Sequence, residues 1–265
     1  MKSLLPIALT LLLSPITSYA AVHFNNNTCN KLFKDEGNKV CKEAVKGDAK
    51  ARYAMARLFG DPQSGPLVNL DYAFYWHLKL ARQIVKEKLK EPAYVSTLYN
   101  TGVLYTDGLG TKKDSGKGFY WFQQSAKRGD ALAMVRLAIA YENGAGTQKN
   151  DTESVKWLTK AVELDDPQAK VAMAKRLIEA KGVKKDTSKA IQYLKDAAAQ
   201  NLPQASFILG NAYLTGAVVD KDFAQAKKWY AKSCQLNMLI ACKRYFDLDT
   251  NTQGLEPFLN TNPLK

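Results

Sequence analysis

At 265 residues with a formal charge of +13, the chain is long enough for one large domain or an elongated array. Two histidines and four cysteines leave little material for a metal centre, and no metal or cofactor is expected. The cations are interleaved with acids along the whole length, which favours anionic surfaces or acidic protein partners over nucleic acid. The first twenty residues, MKSLLPIALTLLLSPITSYA, place Lys2 before an apolar run from Leu4 to Leu13 and end on Ser18-Tyr19-Ala20. That layout predicts a cleavable secretory leader over 1–20 with cleavage after Ala20. The run is too short to cross a hydrocarbon layer, which needs about 20 residues. Export to the periplasm or outside the cell is the expectation, and the charge falls to +12 when Lys2 leaves with the leader. In an oxidising compartment Cys29, Cys41, Cys234 and Cys242 imply two disulfides, with three connectivities open.

Residues 21–46 read as an N-terminal helical cap, and beyond them the chain repeats itself. Written in rows of 36 from Ala93, it aligns without a gap for four rows. One column holds Trp121, Trp157, Tyr193 and Trp229, and another Asp114, Asn150, Asp186 and Asp222. Small residues fill two more: Gly102, Ala138, Ala174, Gly210, and Gly118, Ser154, Ala190, Ala226. An earlier copy spans Gly47 to about Ala81, followed by an insertion around ARQIVKEKLKEP, and a final half-copy begins near Asn237.

Each unit reads as two helices. In ALAMVRLAIAYENGAGTQKNDTESVKWLTKAVELDD, Ala133, Leu137, Ala138 and Tyr141 share one helical face. Gly144 and Gly146 end that helix, because glycine accepts the left-handed conformation of a C-terminal cap. Asn150, Asp151 and Thr152 then offer side-chain oxygens to the orphan amides of the second helix. One unit does not bury its aromatic face alone, so the stack is the folding unit.

These residues bring a family into view. The order leucine, glycine, tyrosine, G-x-G, aspartate, alanine, tryptophan and paired small residues, clearest in LYNTGVLYTDGLGTKKDSGKGFYWFQQSAKRGD, resembles the Sel1-like repeat, a relative of the tetratricopeptide repeat. The resemblance covers residues 47–246, about five helix pairs and a terminal helix, and leaves 247–265 as a tail. Ala180 departs from the pattern where glycine is usual, as does the irregular loop FGDPQSGPLVNLD. The resemblance implies an all-α fold, a right-handed α-solenoid of antiparallel helix pairs with a concave side. It implies binding or scaffolding, as an adaptor, inhibitor, immunity protein or regulator in the bacterial envelope, rather than catalysis.

Secreted cysteine-rich relatives from Helicobacter, linked with β-lactam binding and hydrolysis, supply the alternative of a β-lactam-interacting enzyme. Serine chemistry of that kind places a lysine one helical turn after the nucleophile. No S-x-x-K, S-D-N, K-T-G or G-x-S-x-G occurs in the chain. Ser125 and Ser233 fall in a small-residue column and read as packing. Asp165 and Asp166 lie at an interhelical turn, where acids act as caps. Binding of a cell-wall glycan by the basic surface is a third reading.

The expected partner is a protein or peptide, acidic and with apolar anchors. At about 100° per residue, Val135 and Ile139 point away from the core face of 131–142. In related superhelices this side of the first helix lines the concave groove. The equivalent positions are Tyr53 and Arg57, Tyr99 and Val103, Val171 and Lys175, Phe207 and Asn211, with Lys243 in the last half-unit. The row Tyr99, Val135, Val171, Phe207 is either a groove for an apolar ligand or is buried by superhelical curvature, and a helical wheel does not decide between them. Cys234 and Cys242 flank the turn joining a second helix to the next first helix, within disulfide reach. The eight-residue spacing also matches the cysteine-rich relatives, whose repeats clamp adjacent helices in this way. Cys29 and Cys41 are expected to staple the opposite end by pairing with each other.

Overall fold

The structure, a computed structural model, describes residues 23–250; the predicted leader and all of the C-terminal tail beyond Thr250 lie outside them. Regular structure among these residues is helical throughout. A short α1 (Asn26–Leu32) and α2 (Asp35–Lys46) precede five helix pairs. These are α3 (Ala49–Gly60) with α4 (Leu70–Glu87), α5 (Pro92–Asp107) with α6 (Ser115–Ala126), and α7 (Ala131–Asn143) with α8 (Asp151–Glu163). Then come α9 (Pro167–Glu179) with α10 (Thr187–Ala199), α11 (Pro203–Thr215) with α12 (Phe223–Gln235), and an unpaired α13 (Leu239–Thr250). Each helix packs most extensively on its own partner and next on its chain neighbour, giving the expected right-handed α-solenoid. The last helix runs to Thr250, so the boundary expected after residue 246 falls within a helix: nothing in FDLDT breaks helical continuation.

The repeat columns have local causes. Asn69, Asp114, Asn150, Asp186 and Asp222 each accept the backbone N–H three residues on and so cap the second helices. The first helices α5, α7 and α11 end on glycines in the left-handed region, Gly108, Gly144 and Gly216. Ala180 adopts that conformation at φ 56° without glycine's freedom, at a cost of about 1 kcal/mol. The glycine two residues further on joins units. A Cβ on Gly110, Gly146 or Gly182 would lie 2.0, 2.2 or 2.4 Å from the carbonyl oxygen of Leu70, Ser115 or Asp151. The loop of one unit thus presses on the start of the preceding second helix.

Aromatic rings fill the space between units. Phe74 meets Tyr105 edge-on at 5.0 Å, and Phe119 meets Tyr141 in the same way at 5.3 Å. Within units, a small residue on the first helix faces a large one on the second. Gly102 lies under Phe122 and Gly210 under Tyr230, where a Cβ would stand 2.6 Å from either ring. In the two units between them the same positions hold Ala138 with Leu158 and Ala174 with Leu194, all buried. Gly102→Ala is therefore expected to destabilise by roughly 1–3 kcal/mol through overpacking. Adding Phe122→Leu should recover much of that loss, by recreating the pairing of the next unit. A double-mutant cycle by urea denaturation checks the coupling; strict additivity would refute it.

Both disulfides form as paired above, Cys29–Cys41 between α1 and α2 and Cys234–Cys242 across the turn from α12 to α13. They staple the two ends of the array, where a unit has a neighbour on one side only. Closing such short loops contributes about 2–3 kcal/mol, and two disulfides point to an oxidising compartment. No helix among the described residues is long and apolar enough to cross a membrane.

Candidate protein-interaction face

Sequence periodicity nominates the outer side of the first helices, and the structure divides that nomination in two. Val135 is 6% exposed and belongs to the central apolar cluster. It is core and not contact surface, being packed within that cluster. Tyr99 and Phe207 are half-buried, lying on Phe122 and Tyr230 at 5.7 Å between ring centroids. Val103 and Val171 are also half-buried and packed against the central cluster. Tyr53 is half-buried, tilted on Tyr94, with the exposed Arg57 guanidinium 6.0 Å above its ring.

The second column, four positions later, is more open. Ile139 is 40% exposed and Lys175 is half-buried, while Lys243, which continues the first column after Phe207, is exposed. Asn211 is held internally, accepting the Tyr230 hydroxyl proton at 2.6 Å. Burial raises the pKa of that phenol, so it stays a donor.

Residues that the wheel passes over complete the face. Leu132 is 40% exposed and lies seven residues before Ile139, on the same side of α7. Between them exposed Arg136 reaches across to α5, where its Nε donates to the Tyr99 hydroxyl at 3.2 Å. A cleft of about 450 Å³ opens between α5 and the α6–α7 turn, lined by Pro92, Val95, Ser96, Tyr99 and residues 128–132. Arg128 stands at this cleft, tied to the Gln124 carbonyl at 2.8 Å. The signal was present in ALAMVRLAIAY: α7 is apolar around most of its circumference, so some apolar residues had to remain outside the core.

The groups weighed for chemistry have structural partners. Ser125 bonds to the Val95 carbonyl at 3.2 Å and Asp130 at 2.6 Å, tying the α6–α7 turn to α5. Ser233 does the same for α11 through the Pro203 carbonyl at 2.9 Å. Asp166 caps α9, and Asp165 pairs with Lys170. Among the described residues no cluster of three His, Cys, Asp or Glu side chains has the geometry of a metal site.

His77 occupies the position that Phe122, Leu158, Leu194 and Tyr230 hold elsewhere. It is buried, its Nδ1 has no hydrogen-bond partner, and desolvation lowers its pKa to about 4. The folded state therefore binds fewer protons than the unfolded chain below pH 6.5. The stability this neutral imidazole supports is complete above pH 6.5 and is lost as pH falls towards 4, by about 3 kcal/mol. His77→Leu opposite Ala56 recreates the Ala/Leu pairing of the central units, and should flatten this acid limb in melting curves taken between pH 4 and 7.

With this geometry in place, comparison decides the family. The Sel1 repeat model matches residues 48–84, 95–130, 131–166, 167–202 and 203–238, well over half of the sequence. The chain belongs to the Sel1 repeat family. The matched units coincide with the helix pairs α3/α4 to α11/α12. A Sel1 repeat protein from Oxalobacter formigenes has a TM-score of 0.68 at 23% identity, covering 88% of this chain and 94% of that one. The protein c5321, a protective antigen of uropathogenic Escherichia coli, gives 0.65 at 20%; the match covers 86% of this chain but 46% of the antigen, so this Sel1 array spans about half of its length. Immunity protein Pa5087 from Pseudomonas aeruginosa gives 0.50 at 21%, over 74% of this chain and 68% of that one. No curated relative matches the chain. At these identities the likeness is one of fold.

Proposed function

We propose that this Sel1 array is an exported scaffold of the bacterial envelope that binds a protein or peptide partner on the face formed by its first helices. The observation that carries the reading is the α5–α7 cleft with Leu132 and Ile139 exposed beside it, in a family of helical repeats. Leu132 and Ile139 share one side of α7, and contiguous exposed apolar surface marks an interaction site. Arg128 and Arg136 at the same place favour carboxylates beside the apolar anchors. Export rests on the leader-like first twenty residues and on the two disulfides. The role is binding, as an adaptor, regulator, inhibitor or immunity protein; Pa5087, an immunity protein on this fold, is an example of the last by analogy.

The test is affinity capture from the exporting cell with mass spectrometry, comparing the native chain with Leu132→Asp/Ile139→Asp. Loss of a specific partner, with helical signal and melting temperature unchanged, supports the reading. Equal capture by the double variant, or turnover of a chromogenic β-lactam by the native chain, overturns it. Aspartate at Val135 does not serve this test, since a charge there enters the core and reports on folding.

A further inference from the structure

The insertion that breaks the 36-residue spacing after the first unit has a structural product. It extends α4 to 18 residues, against 12 or 13 for the second helices α6 to α12. The added turns carry Arg82, Gln83 and Lys86 to the C-terminal end of α2. Together with Lys46, Arg52 and Lys79 they line a cleft of about 440 Å³. Arg52 is half-buried there and held in place: its Nε donates to the Ala44 carbonyl at 3.0 Å and its Nη1 to Gln83 at 2.8 Å. Gln83 is fixed in turn through the Gly47 carbonyl at 2.9 Å and Glu87 at 3.1 Å. Lys79, Arg82 and Lys86 are exposed, and Lys79 also stands 5.5 Å from the Tyr75 ring centroid. Among the described residues no carboxylate lies within ion-pair distance of any of the five cations.

Five cations gathered with one acid, around a guanidinium that is already oriented, are a recognition element in need of anions. We infer that the α2–α4 cleft is a second docking site, which takes an acidic peptide segment of a partner protein. The chemistry selects this occupant. Lys79 to Lys86 spans seven residues of helix, about 10 Å, wider than a single tetrahedral oxyanion. No apolar side chain lines the cleft, so nothing beside the cations would enter a bilayer, and Arg52 is recessed from any flat surface. A chain of Asp and Glu side chains reaches both the recessed guanidinium, which suits a carboxylate in two-point contact, and the outer row.

The inference goes beyond the first-helix face, and its failure leaves that reading standing because the substituted residues lie on α2 and α4, away from the α5–α7 cleft. The test uses fluorescein-labelled hexaglutamate and anisotropy on the purified chain at low and physiological salt. Binding should weaken at least tenfold in Arg82→Glu/Lys86→Glu, and less than twofold in Lys184→Glu/Lys185→Glu, an exposed loop pair with the same change in net charge. If reversal compromises folding, Lys46→Gln/Lys86→Gln gives the same comparison with a smaller loss. Equal weakening by both reversals would show a net-charge effect alone and overturn the site, as would failure of hexaglutamate to bind. Binding of inorganic phosphate or of phosphatidylglycerol vesicles that depends on Arg82 and Lys86, without peptide binding, would also overturn it in favour of those ligands.

Discussion

Replacing Glu142 and Asp151 together by alanine is expected to destabilise the array by about 3–5 kcal/mol, whereas Arg176→Met should leave it within about 1–2 kcal/mol of the native chain. The asymmetry follows from where the charges sit. Arg176, in the last turns of α9, is 2% exposed. It pairs with Glu142 near the end of α7 and lies 3.6 Å from Asp151 at the start of α8. Both carboxylates keep contact with water, at 26% and 33% side-chain exposure. Removing the acids strands a guanidinium that water does not reach; removing the guanidinium leaves two acids that water still solvates. Methionine also keeps most of the side-chain volume, so the site does not become a cavity. Chemical denaturation followed by helical signal measures both variants. If Arg176→Met proves the more damaging, the cluster acts through attraction rather than through the cost of a lone buried charge.

The second large effect lies at the seams between units. Gly146→Ala is expected to cost about 3 kcal/mol, against about 1 kcal/mol for Gly129→Ala. Both glycines are left-handed, at φ 74° and 87°, so alanine is strained at either position. They differ in what a methyl group would meet: the backbone carbonyl of Ser115 at 2.2 Å for Gly146, and nothing within 4 Å for Gly129. A helix start does not move aside as a side-chain tip does, so the Gly146 variant must separate two units. Thermal melts of the pair isolate that term. In a linear array its loss propagates, because each unit draws much of its stability from its neighbours. Equal destabilisation by both substitutions would show that the G-x-G glycine serves the turn alone.

Much of this was legible in the sequence because it is local. A cap needs an acceptor three residues before an orphan amide, and Asp114, Asn150, Asp186 and Asp222 supply it wherever the column places them. The short loop from Cys234 to Cys242 closes across one turn whatever the rest of the array does. The face of the first helices was legible only in part. Whether Tyr99 or Val135 is available to a partner depends on the ring or side chain above it on the second helix, some twenty residues away. The size matching that governs this was written in the rows, Gly102 with Phe122 and Gly210 with Tyr230 against Ala138 with Leu158 and Ala174 with Leu194. It is visible only when two columns are read together, and a wheel reads one helix at a time.

The sequence by itself determined the unit, its caps, the number of helix pairs and the pairing of the thiols, since each follows from spacing along one or two helices. Only the tertiary structure decided which apolar residues the curvature covers, that Arg176 answers acids on two other helices, and that the insertion after the first unit brings its cations up to Arg52. Those contacts join residues from 25 to more than 30 positions apart, and their geometry is set by how successive helix pairs rotate on one another, a quantity that no single unit encodes.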